Sequence, residues 1–144
     1  MLRPMRHVRA RLTRLGTIVA LVAVLSGCGE NEPTDEQQIR AALAEFGRAT
    51  AAHDYQALCD RVLAPKLIET VKQIGLPCEV ALEKGFEGVS EPRVSVGAIT
   101  VKDTTATAEV RSSAAGQEPS EDTVELIKVG EGWRIASLGS AAAP

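Results

Sequence analysis

The chain has 144 residues, enough for one small domain or for a domain preceded by a processed leader. Its charges are unevenly distributed: five arginines lie within the first 14 residues, whereas all 19 acidic residues follow position 29. From Cys28 onward, 11 basic residues stand against 19 acidic ones, a formal charge of −8. Sequence-independent nucleic-acid binding is therefore disfavoured, because it needs lysine and arginine to neutralise phosphates. A multi-histidine metal site is excluded, since His53 is the one histidine outside the leader.

Residues 1–27 have the layout of a secretory signal peptide. An arginine-rich start is followed by an uncharged stretch of 11 residues, from Leu15 to Leu25. As a helix of ~1.5 Å rise per residue, this stretch covers about 17 Å, well short of the ~30 Å hydrocarbon core of a bilayer. It is therefore predicted to be a removable leader and not a permanent membrane span.

The leader ends in Leu25-Ser26-Gly27-Cys28, an apolar residue followed by two small residues and a cysteine. This tetrapeptide resembles the lipobox of bacterial lipoproteins. The resemblance implies that Cys28 receives a lipid, becomes the first residue of the mature chain and anchors the protein at the extracytoplasmic face of the bacterial cell membrane. The alternative is an ordinary signal peptide, with Cys28 left free or in a disulfide. With Cys28 lipidated, residues 28–33 are expected to form a lipidated tether. Residues 140–144 are expected to form a flexible tail of small residues.

Cysteine counting points the same way, because three cysteines in an exported chain leave an odd one unless one has another use. With Cys28 lipidated, Cys59 and Cys78 remain, and outside the reducing cytosol we predict that they form a disulfide. Closing a loop of about 20 residues would stabilise the domain by ~3 kcal/mol in the chain-entropy model. Two buried thiols or a redox-active pair are the alternatives, and the spacing is not the Cys-x-x-Cys of redox enzymes.

The domain predicted at residues 34–139 begins with helical patterns. Thr34 and Gln37 match a capping box, and apolar side chains at three- and four-residue spacings continue through about Ala52. Asp54 is the expected N-cap of a second helix. The inner face of this second helix is predicted to carry Tyr55, Leu58, Cys59 and Val62.

Two further helical segments are predicted before the composition changes. Pro65 suits the first position of a third helix, and Gly75 suits a left-handed stop at its end. Pro77-Cys78 opens a short fourth segment. The inner face of the third helix is predicted to carry Leu67, Ile68, Val71 and Ile74.

Four strands are predicted after Glu91. In the first, Val94 and Val96 share one phase of the alternation, and a slip at Gly97-Ala98 that reverses the phase indicates a bulge. The second and third strands are expected at 104–112 and 122–129, separated by a polar loop. A hairpin turn at 130–132 leads to the fourth strand, whose single face is predicted to carry Trp133, Ile135 and Ser137.

Helices followed by an antiparallel sheet indicate the α+β class. The order of elements resembles the nuclear transport factor 2-like superfamily, a cone-shaped fold, and more narrowly small lipoproteins of that group in Gram-positive bacteria. The segments that carry the resemblance are 51–55, the helices containing Cys59 and Pro65, 76–79 and 128–135. The resemblance implies N-terminal helices packed on a curved four-stranded antiparallel sheet. It does not imply one activity, because the superfamily contains ketosteroid-isomerase-like and polyketide-cyclase-like enzymes, binding modules and dimerisation domains.

No catalytic residue, cofactor site or metal site is predicted. His53 and Asp54 are interpreted as a solvated loop residue and a helix cap, and Trp133 as part of the core. An enzyme of the superfamily would need a carboxylate and a hydrogen-bond donor inside the cone, but the strand positions assigned to the interior are apolar. The acidic residues expected to face water are Glu45, Glu83, Glu109 and Glu125.

The sequence therefore favours a lipid-anchored extracytoplasmic lipoprotein whose small α+β domain is a binding or interaction module at the cell envelope. The alternatives are a carrier of a small apolar ligand and a ketosteroid-isomerase-like or cyclase-like enzyme that uses the cone cavity. The expected partners are the membrane, through Cys28, and an envelope protein or a small apolar ligand, but not nucleic acid. A homodimer through the outer sheet face is a further possibility, with exposed residues there expected to be Thr105, Thr107, Glu109 and Arg111.

Overall fold

The computed structural model describes residues 32–139. The predicted signal peptide (1–27), Cys28, most of the tether (28–33) and the tail (140–144) lie outside the described residues. Between residues 32 and 139, no helix combines the length and the hydrophobicity that crossing a bilayer requires.

Helices precede strands, as the sequence predicts. The helices are α1 (Asp35–Ala51), α2 (Tyr55–Ala57), which continues as a π-helical segment (Leu58–Val62), α3 (Pro65–Gln73) and α4 (Cys78–Gly85). The strands are β1 (Arg93–Lys102), β2 (Thr105–Ser113), β3 (Ser120–Val129) and β4 (Gly132–Ser137). They form one antiparallel sheet in the order β1-β2-β3-β4. The predicted α+β class with a four-stranded antiparallel sheet is confirmed.

The capping box at the start of α1 is confirmed. The Thr34 hydroxyl accepts from the Gln37 backbone N–H at 3.2 Å, and the Gln37 side-chain oxygen accepts from the Thr34 N–H at 2.9 Å. Two N–H groups that have no partner within the helix are thereby satisfied. This start fixes the register in which Ile39 and Leu43 of α1 are buried.

The core lies between the helices and one face of the sheet, called here the inner face. α1 contacts both β1 and β4, and the π-helical segment contacts α1 and β4. The largest fully buried side chains come from these elements and from the sheet: Ile39, Leu43, Leu58, Val62, Leu63, Leu126 and Ile135. Burying large aliphatic side chains of this kind contributes about 1.5–3 kcal/mol each, so this layer is the main source of stability.

The caps predicted for the shorter helices are also present, with one error on α3. Asp54 accepts from the Ala57 N–H at 3.0 Å, Pro65 begins α3, and Gly75 follows α3 with a φ of +83°. Ile74, predicted to face inward, is 68% exposed. The reason is that α3 ends at Gln73, so Ile74 lies at the C-cap, beyond the helical face that packs on the core.

The predicted bulge in β1 is confirmed by a register shift between Val96 and Ile99. After the shift, Ile99 lies opposite the buried Ala108, so the phase reversal in the sequence returns the apolar residues to the inner face. Arg40 of α1 donates to the carbonyl oxygens of Val96 at 3.2 Å and Gly97 at 3.3 Å. The bulge is therefore tied to the helix above it.

The face predicted for β4 is correct for two of its three residues. Trp133 and Ile135 are 4% and 0% exposed. Ser137, however, pairs with the exposed Glu125, because the register shifts near the end of the β3–β4 pair. The shift breaks the alternation, and the prediction that Ser137 shares the face of Trp133 was wrong.

Cys59 and Cys78 are joined by a disulfide, with their Cα atoms 6.1 Å apart. Both residues are buried. The bond links the π-helical segment to the first residue of α4 and closes a loop that contains α3. It therefore fixes the base of α4 independently of the weaker packing of α3, in which no residue is fully buried.

Candidate functional site

A cleft of about 200 Å³ opens at the end of the domain where α1 ends and where β1 and β3 begin. It lies between the helices and the inner face of the sheet. Its walls include Phe46 and Thr50 of α1, Phe86 after α4, Val94 of β1, Ser112 of β2 and Ser120 of β3.

One wall of the cleft is aromatic. The rings of Phe46 and Phe86 meet edge to face, with centroids 6.2 Å apart. Tyr55 stacks on Phe86, with centroids 6.3 Å apart and planes within 2° of parallel. The Tyr55 hydroxyl lies 2.9 Å from Nδ1 of His53, an exposed residue with a φ of 56°. His53 and Asp54 are thus the loop residue and cap that the sequence predicts, and Tyr55 supports the aromatic wall.

The opposite wall carries a chain of hydrogen bonds that ends at a carboxylate. The Ser112 and Ser120 hydroxyl oxygens are 2.8 Å apart, and Ser120 donates to Asp122 Oδ2 at 3.0 Å. A serine hydroxyl has one hydrogen, so Ser112 must be the donor to Ser120. Asp122 pairs with Val110, whose side chain is in the core, so the aspartate lies on the inner face.

The prediction that no acid lies on the inner face was wrong. Alternation within the predicted strand 122–129 already places Asp122 in the phase of the buried Val124 and Leu126. β3 begins two residues earlier than predicted and adds Ser120 to the same face. An acid and a hydroxyl donor are therefore adjacent at the end of the inner face.

Three hydroxyl groups in the cleft, those of Thr50, Ser112 and Ser120, present acceptors rather than donors to a ligand. The Thr50 hydroxyl donates to the Phe46 carbonyl oxygen at 2.8 Å, and the Ser112 and Ser120 hydrogens are used as described above. Each of these hydroxyl oxygens retains lone-pair capacity. A ligand that brings N–H or ammonium groups would match this wall better than one that brings acceptors.

The charged residues that line the cleft are Arg93 and Glu118, one guanidinium and one carboxylate. The volume is below the ~300–1,000 Å³ of pockets that enclose whole small-molecule ligands. The cleft therefore suits one ring or one aliphatic side chain.

The cleft does not contain the groups of an acyl-transfer triad. His53 is the one imidazole among the described residues, and it does not line the cleft. Across residues 32–139, no three histidine, cysteine, aspartate or glutamate side chains converge as metal ligands.

At the other end of α1, Asp35 joins the helix to the β3–β4 hairpin. Its Oδ1 accepts from Lys128 Nζ at 2.8 Å and from Trp133 Nε1 at 2.9 Å. The Lys128 ammonium also lies 5.9 Å from the centre of the Trp133 ring. The hydrogen bond from Lys128, followed by that from Trp133, lowers the pKa of Asp35, and the bond to Asp35 raises the pKa of Lys128. Trp133 is in the core, as predicted, but its indole N–H has a specific partner that was not foreseen.

One of the acids expected to face water is largely covered. The side chain of Glu45 is 21% exposed and forms ion pairs with Arg48 and with Arg61, the latter at 3.5 Å. Packing of the π-helical segment against α1 brings Arg61 to Glu45, so the carboxylate is shielded by partners. The expectation of exposure is correct for Glu83, Glu109 and Glu125.

The outer face of the sheet carries a broader groove of about 530 Å³ across β1, β2 and β3. Glu109, Arg111 and Glu121 line it, and Arg111 pairs with Glu121 at 3.1 Å. Thr105, Thr107, Glu109 and Arg111 are all exposed, as predicted. Because this groove is an open polar surface without a covered wall, the smaller cleft is the stronger candidate site.

Of the predicted site residues, Cys59 and Cys78 form the disulfide below α4, and Cys28 lies outside the described residues. The cleft residues were not predicted as a site. The polar run at 113–121 was expected to be a loop, so Ser120 was not expected on a strand beside Ser112.

Comparison with known proteins supports the fold without giving a function. No protein-family model matches the sequence, and no similar curated protein was found. Among solved structures, an NTF2-like protein of unknown function from Silicibacter pomeroyi DSS-3 is 16% identical, covers 69% of this chain and 87% of its own, and has a TM-score of 0.50. A second NTF2-like protein of unknown function, from Shewanella baltica OS155, is 13% identical, with coverages of 70% and 87% and a TM-score of 0.51. The described domain has the nuclear transport factor 2-like fold, in which helices pack on one face of an antiparallel sheet.

Proposed function

We propose that the protein is a lipoprotein attached through Cys28 to the extracytoplasmic face of the bacterial cell membrane, and that its domain is a binding module that uses the cleft between α1, Phe86 and the sheet. The lipobox-like tetrapeptide and the leader before it support the anchor. The pairing of Cys59 with Cys78 supports it indirectly, because it leaves Cys28 as the odd cysteine of an exported chain. The observation that carries the binding role is the cleft itself, with one aromatic wall and one hydroxyl wall.

The position of the cleft suits an anchored binding module. The chain enters α1 at Asp35, beside Lys128 and Trp133 of the β3–β4 hairpin. The cleft lies at Phe46 and Thr50, near the other end of α1. At ~1.5 Å per residue, Asp35 and Thr50 are separated by about 23 Å along the helix. A lipid attached ahead of α1 would thus hold one end of the domain and leave the cleft accessible at the other.

The charge of the domain is consistent with a partner in the envelope and not with the lipid surface. A formal charge of −8 from Cys28 onward is repelled by anionic lipid headgroups. The same charge favours basic ligands and basic segments of envelope proteins.

The anchor is tested by comparing the full-length protein with a Cys28→Ser variant in cells supplied with radiolabelled palmitate. We expect the wild type to be labelled and membrane-bound, and the variant to be unlabelled and released from the membrane fraction. Ser26→Ala, which keeps a small residue in the lipobox, is the matched control and should remain labelled. An unlabelled wild type, or a variant that stays in the membrane, contradicts the proposal.

The binding role is tested by native mass spectrometry of the full-length protein purified from its own envelope in mild detergent. We expect an additional bound mass that is lost in Ala114→Trp, because Ala114 lines the cleft and a large side chain there fills it. Ala115→Trp, at the exposed next position, is the matched control and should keep the bound mass. Binding that survives Ala114→Trp would place the ligand elsewhere.

A second candidate, an enzyme related to the ketosteroid isomerases or cyclases, is favoured by one observation. Asp122 lies on the inner face and accepts from Ser120, which lines the cleft. If Asp122 takes a proton from a substrate, Asp122→Asn should copurify with a molecule of different mass from that bound by the wild type. If the protein only binds, the same molecule should copurify at lower occupancy.

A further inference from the structure

We propose that the occupant of the cleft is a short extended segment of a partner protein, which adds to the free edge of β1 and places one large apolar side chain in the cleft. This inference rests on the binding role proposed above and specifies its ligand. It is carried by the contrast between the two sheet edges, the position of Val94 and the negative charge of the domain.

The two edges of the sheet differ in whether another segment forms hydrogen bonds with them. Beside β4, Leu63 forms a parallel bridge to Ile135, and the Ala64 N–H donates to the Ile135 carbonyl at 2.7 Å. β1 has β2 on one side and no other strand among the described residues. Arg93 and Ser95 on this strand are exposed. An uncovered edge strand offers unpaired N–H and C=O groups to an incoming chain.

The usable part of this edge is short and lies next to the cleft. Arg40 already donates to the carbonyl oxygens of Val96 and Gly97, so the middle of β1 is occupied. The remaining stretch, Arg93 to Ser95, includes Val94, which lines the cleft. Opposite residues on paired strands have Cβ atoms about 4.5–5.5 Å apart on the same face. The residue of an added strand that lies opposite Val94 would therefore direct its side chain to the cleft.

The chemistry of the cleft specifies the segment further. Its small volume and the rings of Phe46 and Phe86 suit one aromatic or aliphatic side chain. Arg93 and Glu118 line the cleft with opposite charges, whereas the chain from Cys28 onward carries a formal charge of −8, so the domain attracts positively charged segments. Side chains two positions apart on a strand share a face. The matching segment has a large apolar residue with a basic residue two positions to each side.

The proposal is tested with fluorescein-labelled heptapeptides of the pattern Thr-Lys-Thr-X-Thr-Lys-Thr, titrated with the full-length protein in detergent and followed by fluorescence anisotropy. With phenylalanine, leucine or tryptophan at X, we expect binding at least tenfold tighter than with serine, because one buried side chain supplies that much affinity. Replacing both lysines by glutamate should weaken binding by tenfold or more. Ala114→Trp should abolish binding, and Ala115→Trp should not change it.

Backbone methylation distinguishes strand addition from other modes of binding. A set of peptides, each methylated at one successive backbone nitrogen, should lose affinity at one position or at two positions that are two residues apart, because only every second N–H of an added strand points to β1 and the usable edge is three residues long. Affinity that is independent of methylation, or lost equally at all positions, overturns strand addition.

The outcomes also separate this inference from the proposed function. Decanoate serves as a small apolar probe. If decanoate binds in a manner blocked by Ala114→Trp and no heptapeptide binds, the cleft is a small-molecule site and this inference fails while the binding role stands. If Ala114→Trp blocks no bound species, whether copurified molecule, peptide or decanoate, both the inference and the binding role fail.

Discussion

At the end of the domain where the chain enters α1, Asp35 accepts hydrogen bonds from Lys128 and Trp133, and these bonds join the helix to the β3–β4 hairpin. At the opposite end, the rings of Phe46 and Phe86 are in contact with each other and form one wall of a cleft between the helices and the sheet. The first end is held together by hydrogen bonds between polar side chains, whereas the second exposes part of an aromatic cluster. Exposed aromatic surface that could have been buried costs stability, so such surface at one end of a well-packed domain indicates binding.

Removal of the disulfide is expected to have the largest effect on stability, because the disulfide holds α4, which leads to Phe86 in the cleft. Cys59→Ala combined with Cys78→Ala should lower the free energy of unfolding by ~3 kcal/mol, since the loop that contains α3 regains its freedom in the unfolded chain. Chemical unfolding followed by circular dichroism measures this loss. Reduced wild type is the control and should show a similar loss. A change below about 1 kcal/mol would mean that packing alone holds α4.

A substitution in the cleft should affect binding more than stability. Phe86→Leu removes the ring contacts with Phe46 and Tyr55 and should lower the free energy of unfolding by about 1 kcal/mol. We expect it to weaken cleft binding at least tenfold in the anisotropy assay. Leu82→Met, a partly buried position of α4 that does not line the cleft, is the control and should leave binding unchanged. Equal loss of binding in both variants would contradict a direct role for the Phe86 ring.

The hydrogen bond between Asp35 and Lys128 should make the free energy of unfolding depend on pH. Because hydrogen bonds lower the pKa of Asp35 in the folded state, its contribution is present above the unfolded pKa of about 3.9 and is lost as pH falls through the folded pKa. The pKa of Lys128 is raised, so its contribution is present below about 10.4 and is lost as pH rises through the folded pKa. Asp35→Asn should therefore be less stable than wild type near pH 7, with the difference disappearing at strongly acidic pH.

Urea unfolding between pH 2 and pH 8 measures this effect. Glu36→Gln, in the same turn of α1, removes an exposed carboxylate that pairs with Arg40 and serves as the matched control. Its effect should be smaller at pH 7. If Asp35→Asn lowers the free energy of unfolding by the same amount at acidic pH as at pH 7, the charge of the carboxylate does not contribute to stability.

The smallest effect is expected at the turn after α3. Ile74→Gln should change the free energy of unfolding by no more than about 0.5 kcal/mol, because the side chain is 68% exposed. Ile68→Gln, which places a polar group against the core from the same helix, should be clearly destabilising. Thermal unfolding of the two variants makes the comparison. Similar losses would indicate that Ile74 is covered in solution.

Sequence signals that act over a few residues were sufficient to predict much of the fold. The capping box of Thr34 and Gln37, the proline at the start of α3, the glycine after it and the phase reversal in β1 each follow from local backbone geometry. These features fix where elements begin and end. The order of helices and strands then restricts the architecture to helices on one face of a sheet.

The candidate site could not be predicted in the same way, because its residues meet through tertiary structure. Asp35 and Trp133 are 98 positions apart, and nothing local to either residue indicates their hydrogen bond. Starting the third strand two residues late left Ser120 in a loop and hid its hydrogen bond with Asp122, although alternation with Val124 and Leu126 already places Asp122 on the inner face. Ile74 was misplaced because the helical period was continued one residue beyond the helix.

The contact of Arg40 with the β1 bulge has a consequence for crowded copies of the protein. Unpaired edge strands can pair with the same strand of another copy and so promote aggregation. Because the Arg40 guanidinium donates to the carbonyl oxygens of Val96 and Gly97, the middle of β1 is not available to pair with another strand. A short segment could still pair with β1 beside Arg40, but β1 of a second copy could not pair along the full length of the strand.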